Sequence, residues 1–113
     1  MHTVPTFTAT IHCGLREGYA GRVHDVAEVN LFCLGHCAEI GLGVSLTETR
    51  FIYKDGSEPG VAVGLINHPR FPSTETQIKR EAIDLATGLK KLLGQRRVTV
   101  VFPDETVMIG GTD

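Results

Sequence analysis

The side chains best suited to chemistry are concentrated between Phe51 and Gln77. Histidine and glutamate can accept or donate a proton near neutral pH, tyrosine can donate one, and arginine can hold an anion through two parallel hydrogen bonds. If these groups converge with His12 at a subunit boundary, they supply a base, a proton donor and an anion clamp. The residues in this stretch are Tyr53, Glu58, Asn67, His68 and Arg70.

A narrower hypothesis is an anion site at the start of the second predicted helix. The first turn of a helix presents unpaired amides and a partial positive charge, so the Thr74 end would attract an anion. His68 and Arg70 lie just upstream and could close on a carboxylate or phosphate. The alternative is that the flanking prolines only fix a rigid turn, while Arg70 pairs with a surface carboxylate such as Glu58.

The glycine-rich segment Gly14–Arg22 follows a predicted strand and precedes a predicted helix, as a phosphate-binding loop would. Its glycines are spaced Gly-x3-Gly-x2-Gly, which matches neither the Walker A pattern nor GxGxxG, and no lysine follows. The spacing therefore favours a flexible connection, for which the conformational freedom of glycine is sufficient explanation.

A metal site is the third possibility that the residue types raise. Cys33, His36 and Cys37 lie about one helical turn apart, but zinc normally takes four ligands. Cys33 and Cys37 also fall on the apolar stripe of the first helix, where cysteine packs as a small hydrophobic residue. We therefore predict that these cysteines and Cys13 pack in the core, with no metal and no cofactor.

Length and composition exclude several classes of protein. A chain of 113 residues, 42% of them hydrophobic, predicts one domain over residues 1–113 with a single core. A formal net charge of −2 and scattered Lys and Arg residues disfavour nucleic-acid binding. The apolar runs are far shorter than the roughly 20 residues of a membrane helix. Three cysteines and no signal-peptide pattern predict a reduced, cytoplasmic protein.

Two helices are predicted from capping residues and apolar spacing. The first runs from Asp25 to Gly41, with Asp25 and Glu28 as a capping box and Gly41 as a left-handed cap. Its apolar stripe consists of Val26, Val29, Cys33, Cys37 and Ile40. The second begins at a Thr74–Gln77 capping box, ends at Gly94, and has a stripe of Ile78, Ala82, Leu85, Ala86, Leu89 and Leu92.

Period-two alternation and β-branched residues predict five strands. His12 alternates with apolar residues and is therefore expected to face away from the core. Asp55-Gly56 predicts a hairpin turn and Pro59-Gly60 a second turn, so the third strand would begin only at Val61. The strands are predicted at residues 6–13, 44–53, 61–66, 97–102 and 106–109.

This order of elements predicts an α+β fold, a ferredoxin-like βαββαβ sandwich with an extra C-terminal edge strand. Right-handed crossovers would place both helices on one face of the antiparallel sheet. The other face would then be uncovered, and the third strand would expose either Ala62, Gly64 and Ile66 or their alternates there. Because contiguous exposed apolar surface usually marks an interaction site, we expect a homodimer or homotrimer.

The run Ala38–Glu48, AEIGLGVSLTE, resembles the PII-like signalling proteins, as do the strand-helix-strand order and the chain length. That resemblance implies a ferredoxin-like trimer that binds small effectors. The short connection Asp55–Gly60 stands where those proteins have a long mobile loop, so their effector site is not carried over. The tautomerase superfamily has a similar βαβ arrangement, but here His2 follows Met1 where those enzymes have a catalytic N-terminal proline.

The leading functional prediction is a binding module for a small anionic ligand or for a protein partner. The alternative is a small cofactor-independent isomerase or lyase with its active site at a subunit interface. A purely structural interaction protein is the third hypothesis. The predicted ligand-binding residues are six polar or ionisable side chains: His12, Tyr53, Glu58, His68, Arg70 and Thr74.

Overall fold

The computed structural model describes residues 1–18 and 20–111. These residues form, in chain order, β1 (Thr8–Gly14), α1 (Val26–Ile40), β2 (Ser45–Tyr53), β3 (Gly56–Ile66), α2 (Glu75–Leu92), β4 (Arg97–Val101) and β5 (Thr106–Gly110). The five strands make one sheet in the order β2-β3-β1-β4-β5, with every neighbouring pair antiparallel. The predicted α+β class, with two helices and an antiparallel sheet, is confirmed.

Both helices begin where the sequence predicts, because capping boxes satisfy their first free amides. At α1, the Asp25 carboxylate accepts from the Ala27 amide at 2.9 Å, and the Glu28 carboxylate accepts from the Asp25 amide at 2.9 Å. At α2, the Thr74 hydroxyl accepts from the Gln77 amide at 3.1 Å, and the Gln77 side chain accepts from the Thr74 amide at 2.8 Å. These local interactions are the ones that a capping box requires.

The buried stripe of α2 differs from the prediction at its last position. Leu92 is 37% exposed, whereas Leu93 is fully buried. Leu93 lies one helical turn after Leu89 and therefore continues the buried row, while Leu92 turns toward the surface. Neither α1 nor α2 is long and apolar enough to cross a membrane, and the described residues contain no other α-helix.

Fewer residues of α1 are buried than its predicted apolar stripe contains. Only Val29 and Cys33 are buried, and Ile40 at the end of the predicted stripe is 39% exposed. The outer side of the helix also carries two apolar residues, Leu31 and Leu34, which are 69% and 60% exposed. The helix therefore contacts the core mainly through its middle turns.

The predicted turn at Pro59-Gly60 is wrong, because β3 already begins at Gly56 and contains both residues. The Pro59 carbonyl accepts from the Leu15 amide at 3.0 Å. In a strand the N–H and C=O of one residue point to the same neighbour, so the missing N–H of Pro59 also faces this side. On this side the β1–β3 ladder ends at the Gly14–Gly60 pair, so no residue of β1 lies opposite Pro59. The proline therefore removes no hydrogen bond from the ladder.

Side-chain alternation gives the sheet two different faces. The core face packs with α1 and α2 and carries buried residues such as Ile11, Val63 and Val100. The opposite face, called the open face below, carries the alternate residues of every strand. It consists of Thr8, Thr10, His12, Gly14, Ser45, Thr47, Thr49, Phe51, Tyr53, Gly56, Glu58, Gly60, Ala62, Gly64, Ile66, Arg97, Thr99, Val101, Thr106, Met108 and Gly110.

The predicted exposure of β3 is confirmed most clearly at Ile66, which is 53% exposed. Ala62 and Gly64 are half-buried in the same row. His12 lies on the open face, as its alternation with Ile11 and Cys13 predicts. The open face is therefore mixed in character, with threonines between exposed apolar side chains.

Replacing Gly41 by alanine tests the left-handed cap of α1. Gly41 has a φ of 72°, and its amide donates to the Cys37 carbonyl at 2.8 Å. No atom lies within 4 Å of an added Cβ, so the expected effect is backbone strain alone. Gly41→Ala should lower the free energy of unfolding by about 1 kcal/mol, as measured by chemical denaturation.

Gly43→Ala is the matched control, because an added Cβ there also meets open space and no positive φ is involved. It should leave the free energy of unfolding unchanged or raise it by up to about 1 kcal/mol. Equal stability of the two variants would contradict the cap.

Candidate functional site

A cleft of about 840 Å³ opens at one end of the open face, beside the β2–β3 turn. Three of the predicted ligand-binding residues, His12, Tyr53 and Glu58, line it together. The complete lining is His12, Gly14, Arg16, Gly18, Phe51, Tyr53, Asp55, Gly56, Ser57, Glu58, Gln95, Arg96, Arg97 and Thr99. A concave site of this size with convergent polar groups is large enough for a small organic ligand.

The strand register explains why these side chains meet. Phe51 pairs with Glu58 across the β2–β3 hairpin, and Tyr53 lies two residues farther along the same strand and on the same face. His12 comes from β1, the next strand of the sheet, and its ring lies at 76° to the Phe51 ring with centroids 6.0 Å apart. The β2–β3 hairpin and β1, which is distant from it in sequence, therefore supply one site.

Two glycines make room for the cleft. A Cβ on Gly60 would overlap the Cε2 atom of Phe51, so the Phe51 ring can lie across β3 only because residue 60 has no side chain. A Cβ on Gly14 would lie 2.9 Å from Gln95 Oε1 and 3.3 Å from each carboxylate oxygen of Glu58. Glu58 and Gln95 therefore project over the end of β1.

The sequence patterns do not predict Gln95 as a site residue. Its amide nitrogen donates to the Arg16 carbonyl at 2.9 Å and to the Leu93 carbonyl at 3.0 Å. Both N–H groups are thus engaged by backbone, and the amide oxygen is directed toward Gly14. Arg16 is 79 residues away in sequence, so no local pattern signals this arrangement.

The cleft carries charges of both signs, with Arg16, Arg96 and Arg97 on the positive side and Asp55 and Glu58 on the negative side. Within residues 1–18 and 20–111, no cationic group lies within 4.0 Å of the Glu58 carboxylate.

His12 adds a polar atom to this site. The Nδ1 atom of His12 is buried, and it has no hydrogen-bond partner among the residues that the structure describes. Buried polar atoms normally have one, so this nitrogen is a candidate for contact with a ligand.

The other predicted residues lie at the opposite end of β3. Ile66 is eight residues beyond Glu58 on this strand, which corresponds to about 26 Å at roughly 3.3 Å per residue. His68, Arg70 and Thr74 follow Ile66, so one subunit does not bring them to the cleft. For the same reason Arg70 does not pair with Glu58 within a subunit.

At this end Arg70 and Thr74 have local contacts. The Arg70 guanidinium lies over the Phe71 ring, 5.4 Å from its centroid, and the Arg70 amide donates to His68 Nδ1 at 3.1 Å. The Thr74 hydroxyl is engaged in the capping box of α2. A ligand would therefore meet Arg70 already stacked on an aromatic ring, and the anion site here stays a prediction.

Residues 67–74, called the His68 loop below, connect β3 and α2. A second cavity, of about 520 Å³, lies beside this loop and includes His68. Its lining is mostly apolar and consists of Gly41, Leu42, Gly43, Val44, Ser45, Gly64, Ile66, His68 and Phe71. Asn67 has a structural role next to it, because its side chain donates to the Pro5 carbonyl at 2.8 Å and accepts from the Ser73 amide at 2.9 Å.

The predicted burial of Cys13 and Cys33 is confirmed, whereas Cys37 lies half-buried at the core edge. Burial raises the pKa of Cys13 to about 12 and the pKa of Cys33 to about 11. Both thiols are therefore protonated at neutral pH, a form that binds metals poorly. Across the described ranges, no three or more His, Cys, Asp or Glu side chains are grouped so as to hold a metal ion.

The segment between β1 and α1 is held by a buried histidine that the sequence patterns do not predict. His24, whose side chain is 4% exposed, places Nε2 2.6 Å from Glu17 Oε1 and Nδ1 3.0 Å from Glu28 Oε1. These carboxylates raise the pKa of His24, Glu28 contributing more than Glu17. Because ionised carboxylates only accept hydrogen bonds, this arrangement is satisfied when both ring nitrogens donate, which is the imidazolium form.

This arrangement, called the His24 clasp below, joins the two ends of the connection predicted for Gly14–Arg22, whose flexibility stays a prediction. The His24 amide donates to the Leu15 carbonyl at 2.7 Å, and the Glu17 amide donates to the Arg22 carbonyl at 2.9 Å. Arg16 lies within this hydrogen-bonded segment and lines the cleft. The His24–Glu28 spacing of four residues was the one local signal for the clasp.

No protein-family model matches this chain, and no curated protein matches it. The solved structures that are similar include two of a phage SAM lyase. One is a phage SAM lyase in the apo state, with 17% sequence identity and a TM-score of 0.80 over 95% of this chain and 90% of that chain. The other is a phage SAM lyase in complex with S-methyl-5′-thioadenosine, with 18% identity and a TM-score of 0.79 over 94% and 90%. At these identities the similarity is one of fold, and it extends over nearly the whole chain.

The His24 clasp should make the stability depend on pH. Because the folded pKa of His24 is raised above the ordinary value of 6.5, the clasp stabilises fully below about pH 6.5 and loses this contribution as the pH rises through the folded pKa. The pKa of Glu28 is lowered mainly by its hydrogen bond to His24. This lowered pKa also stabilises the fold, and that stabilisation is lost only as the pH falls into the acid range. His24→Gln should therefore lower the unfolding temperature at pH 6 and flatten its decline between pH 6 and 9.

Thermal melts across this pH range measure the effect, and His2→Gln, at an exposed terminal position, is the control. If the difference in unfolding temperature between the wild type and His24→Gln is the same at pH 6 and pH 9, the clasp does not depend on an imidazolium.

Proposed function

We propose that this protein is a lyase that acts on S-adenosylmethionine and releases S-methyl-5′-thioadenosine in the open-face cleft. The observation that carries the proposal is the cleft itself, where His12, Tyr53 and Glu58 converge beside a fixed glutamine amide. Support comes from the fold shared with a phage SAM lyase that has been solved in complex with S-methyl-5′-thioadenosine. The alternative that the sequence predicts, a small cofactor-independent isomerase or lyase, includes this class of enzyme.

The proposed reaction requires neither a metal ion nor a nucleophile from the protein. When the C–S bond of a sulfonium breaks, its electron pair stays on sulfur, and the thioether leaves as a neutral molecule that needs no proton. The remaining four-carbon fragment is completed either by attack of its own carboxylate on the carbon that loses sulfur, or by loss of a proton from the adjacent carbon. The first route needs orientation and exclusion of water, and the second needs a base such as His12 or Glu58.

The side chains of the cleft match the parts of this substrate. Phe51 and Tyr53 offer aromatic surfaces for adenine stacking or for contact with the cationic sulfur. The carboxylates of Asp55 and Glu58 would offset the positive charges of the ligand. Arg16, which the His24 clasp holds beside the cleft, is suited to bind the ligand carboxylate.

We also propose that the fold is ferredoxin-like and that the protein forms a homodimer or homotrimer. The first four strands lie in the order β2-β3-β1-β4, with β5 added at the edge, and this order supports the ferredoxin-like assignment. Self-association is supported by apolar side chains on the open face, since Ile66, Val101 and Met108 are 53%, 38% and 44% exposed. A second subunit on this face would also lie next to the cleft.

An activity assay tests the lyase proposal. Incubation of the purified protein with S-adenosylmethionine should release S-methyl-5′-thioadenosine, measured by liquid chromatography with mass detection. Glu58→Gln should lower the rate roughly tenfold or more, because an opposite charge about 4 Å from a cation contributes on the order of 1–4 kcal/mol.

The matched control is Glu48→Gln, the same change at an exposed position of β2 outside the cleft, and it should keep the wild-type rate. Absence of S-methyl-5′-thioadenosine above the rate in buffer, together with no shift of the unfolding temperature by S-adenosylmethionine, would contradict the proposed function.

Sedimentation velocity at micromolar concentration tests the oligomer. The wild type should sediment as a dimer or trimer, and Ile66→Asp should shift it toward the monomer, because a charge would then be buried in the interface. Leu34→Asp, at an exposed position of α1 away from the open face, should not change the distribution. A wild-type monomer, or dissociation caused by Leu34→Asp alone, would contradict self-association through the open face.

A further inference from the structure

We infer that Glu58 and Gln95 form a subsite for a primary ammonium group, which holds the amino group of the ligand. This inference rests on the proposed function, because it names the part of an adenosine-based ligand that the cleft recognises.

Three acceptor oxygens converge over Gly14. Gln95 Oε1 lies 2.9 Å, and both carboxylate oxygens of Glu58 lie 3.3 Å, from the point where a Cβ on Gly14 would be. Because glycine has no Cβ, a ligand group can approach the oxygens from the cleft side. A primary ammonium has three N–H donors and no acceptor, and therefore matches a set of oxygens that can only accept.

The Gln95 oxygen is held in place before a ligand arrives. The amide nitrogen of Gln95 donates to the Arg16 and Leu93 carbonyls at 2.9 and 3.0 Å. Rotation of the amide by half a turn would place its oxygen against these two carbonyl oxygens and lose both hydrogen bonds. The cleft consequently meets an acceptor here and not a donor, and this preorganisation favours binding.

The charge of Glu58 points to the same class of ligand. Glu58 is half-buried, and in the described part of the chain no cation lies within 4.0 Å of its carboxylate. A partly buried charge without a partner is unfavourable, and a cationic group of the ligand would relieve this cost. Arg16 lines the same cleft, so an ammonium at Glu58 and a carboxylate near Arg16 would together fit an amino-acid zwitterion.

The test compares two thioethers that are not turned over, because their sulfur is neutral and not a sulfonium. They are 5′-(3-aminopropylthio)-5′-deoxyadenosine and 5′-butylthio-5′-deoxyadenosine, which differ only in a terminal ammonium or methyl group. By titration calorimetry near neutral pH, the wild type should bind the amine roughly ten- to a hundredfold more tightly, the size expected for hydrogen bonds to a charged group.

Glu58→Gln should reduce this preference to about twofold or less, because it removes the charge and presents amide donors. Gln95→Leu should reduce the preference in part, provided that its unfolding temperature shows a folded protein. Glu48→Gln should keep the full preference, since Glu48 lies outside the cleft.

Equal binding of the two compounds by the wild type would overturn the subsite and leave adenosine recognition standing. A preference for the amine that persists in Glu58→Gln would overturn it as well. Failure of both thioethers to bind would overturn the proposed function and the subsite with it.

Discussion

The alternation of side chains along β1 is the constraint on which the rest of the structure depends. This strand pairs with β3 on one side and β4 on the other, so its register sets the register of the sheet centre. Ile11 and Cys13 are buried on one face, and His12 between them points to the other. A slip of one residue would exchange the faces and place a histidine in the core. The register of β1 that buries Ile11 and Cys13 therefore also places His12 in the cleft.

A cleft on the face of a sheet needs a physical cause, because paired strands normally present a continuous surface of side chains. Here Gly14 and Gly60 form a directly opposed pair at the end of β1, and neither contributes a side chain. The Phe51 ring, Glu58 and Gln95 extend into the space that they leave. Glycine in a strand weakens packing and often marks a site where another group approaches closely. The glycine pair that leaves this part of the sheet without side chains therefore shapes the candidate site.

The parts of the fold that local interactions determine could be predicted from the sequence. The capping boxes at Asp25 and Thr74 and the left-handed cap at Gly41 depend on residues within one turn, and each is present. Alternation and helical spacing likewise predicted all seven elements. At Leu93 the prediction failed because the end of a helix turns by about 100° per residue, so one position decides whether a leucine is buried.

The features that could not be predicted from the sequence depend on contacts between residues that are far apart in the chain. Pro59 looks like a turn residue until one knows that β1 ends beside it, and this is a property of the sheet. Gln95 becomes a site residue only through its hydrogen bond to Arg16, and His24 only because a carboxylate approaches from each side. Of the six predicted site residues, His12, Tyr53 and Glu58 meet in the cleft, whereas His68, Arg70 and Thr74 lie beyond the far end of β3.

The length of β3 determines what one subunit can bind. About 26 Å separates Glu58 from Ile66, and a rigid strand paired on both sides cannot fold to shorten this distance. Within one subunit, the cleft and the His68 loop therefore cannot contact the same small ligand. A symmetric neighbour on the open face would remove this restriction, because an isologous interface sets different parts of the same surface against each other. If a second subunit covers Ile66, the composition of the site would also depend on the state of association, because the cleft and Ile66 are parts of the same face.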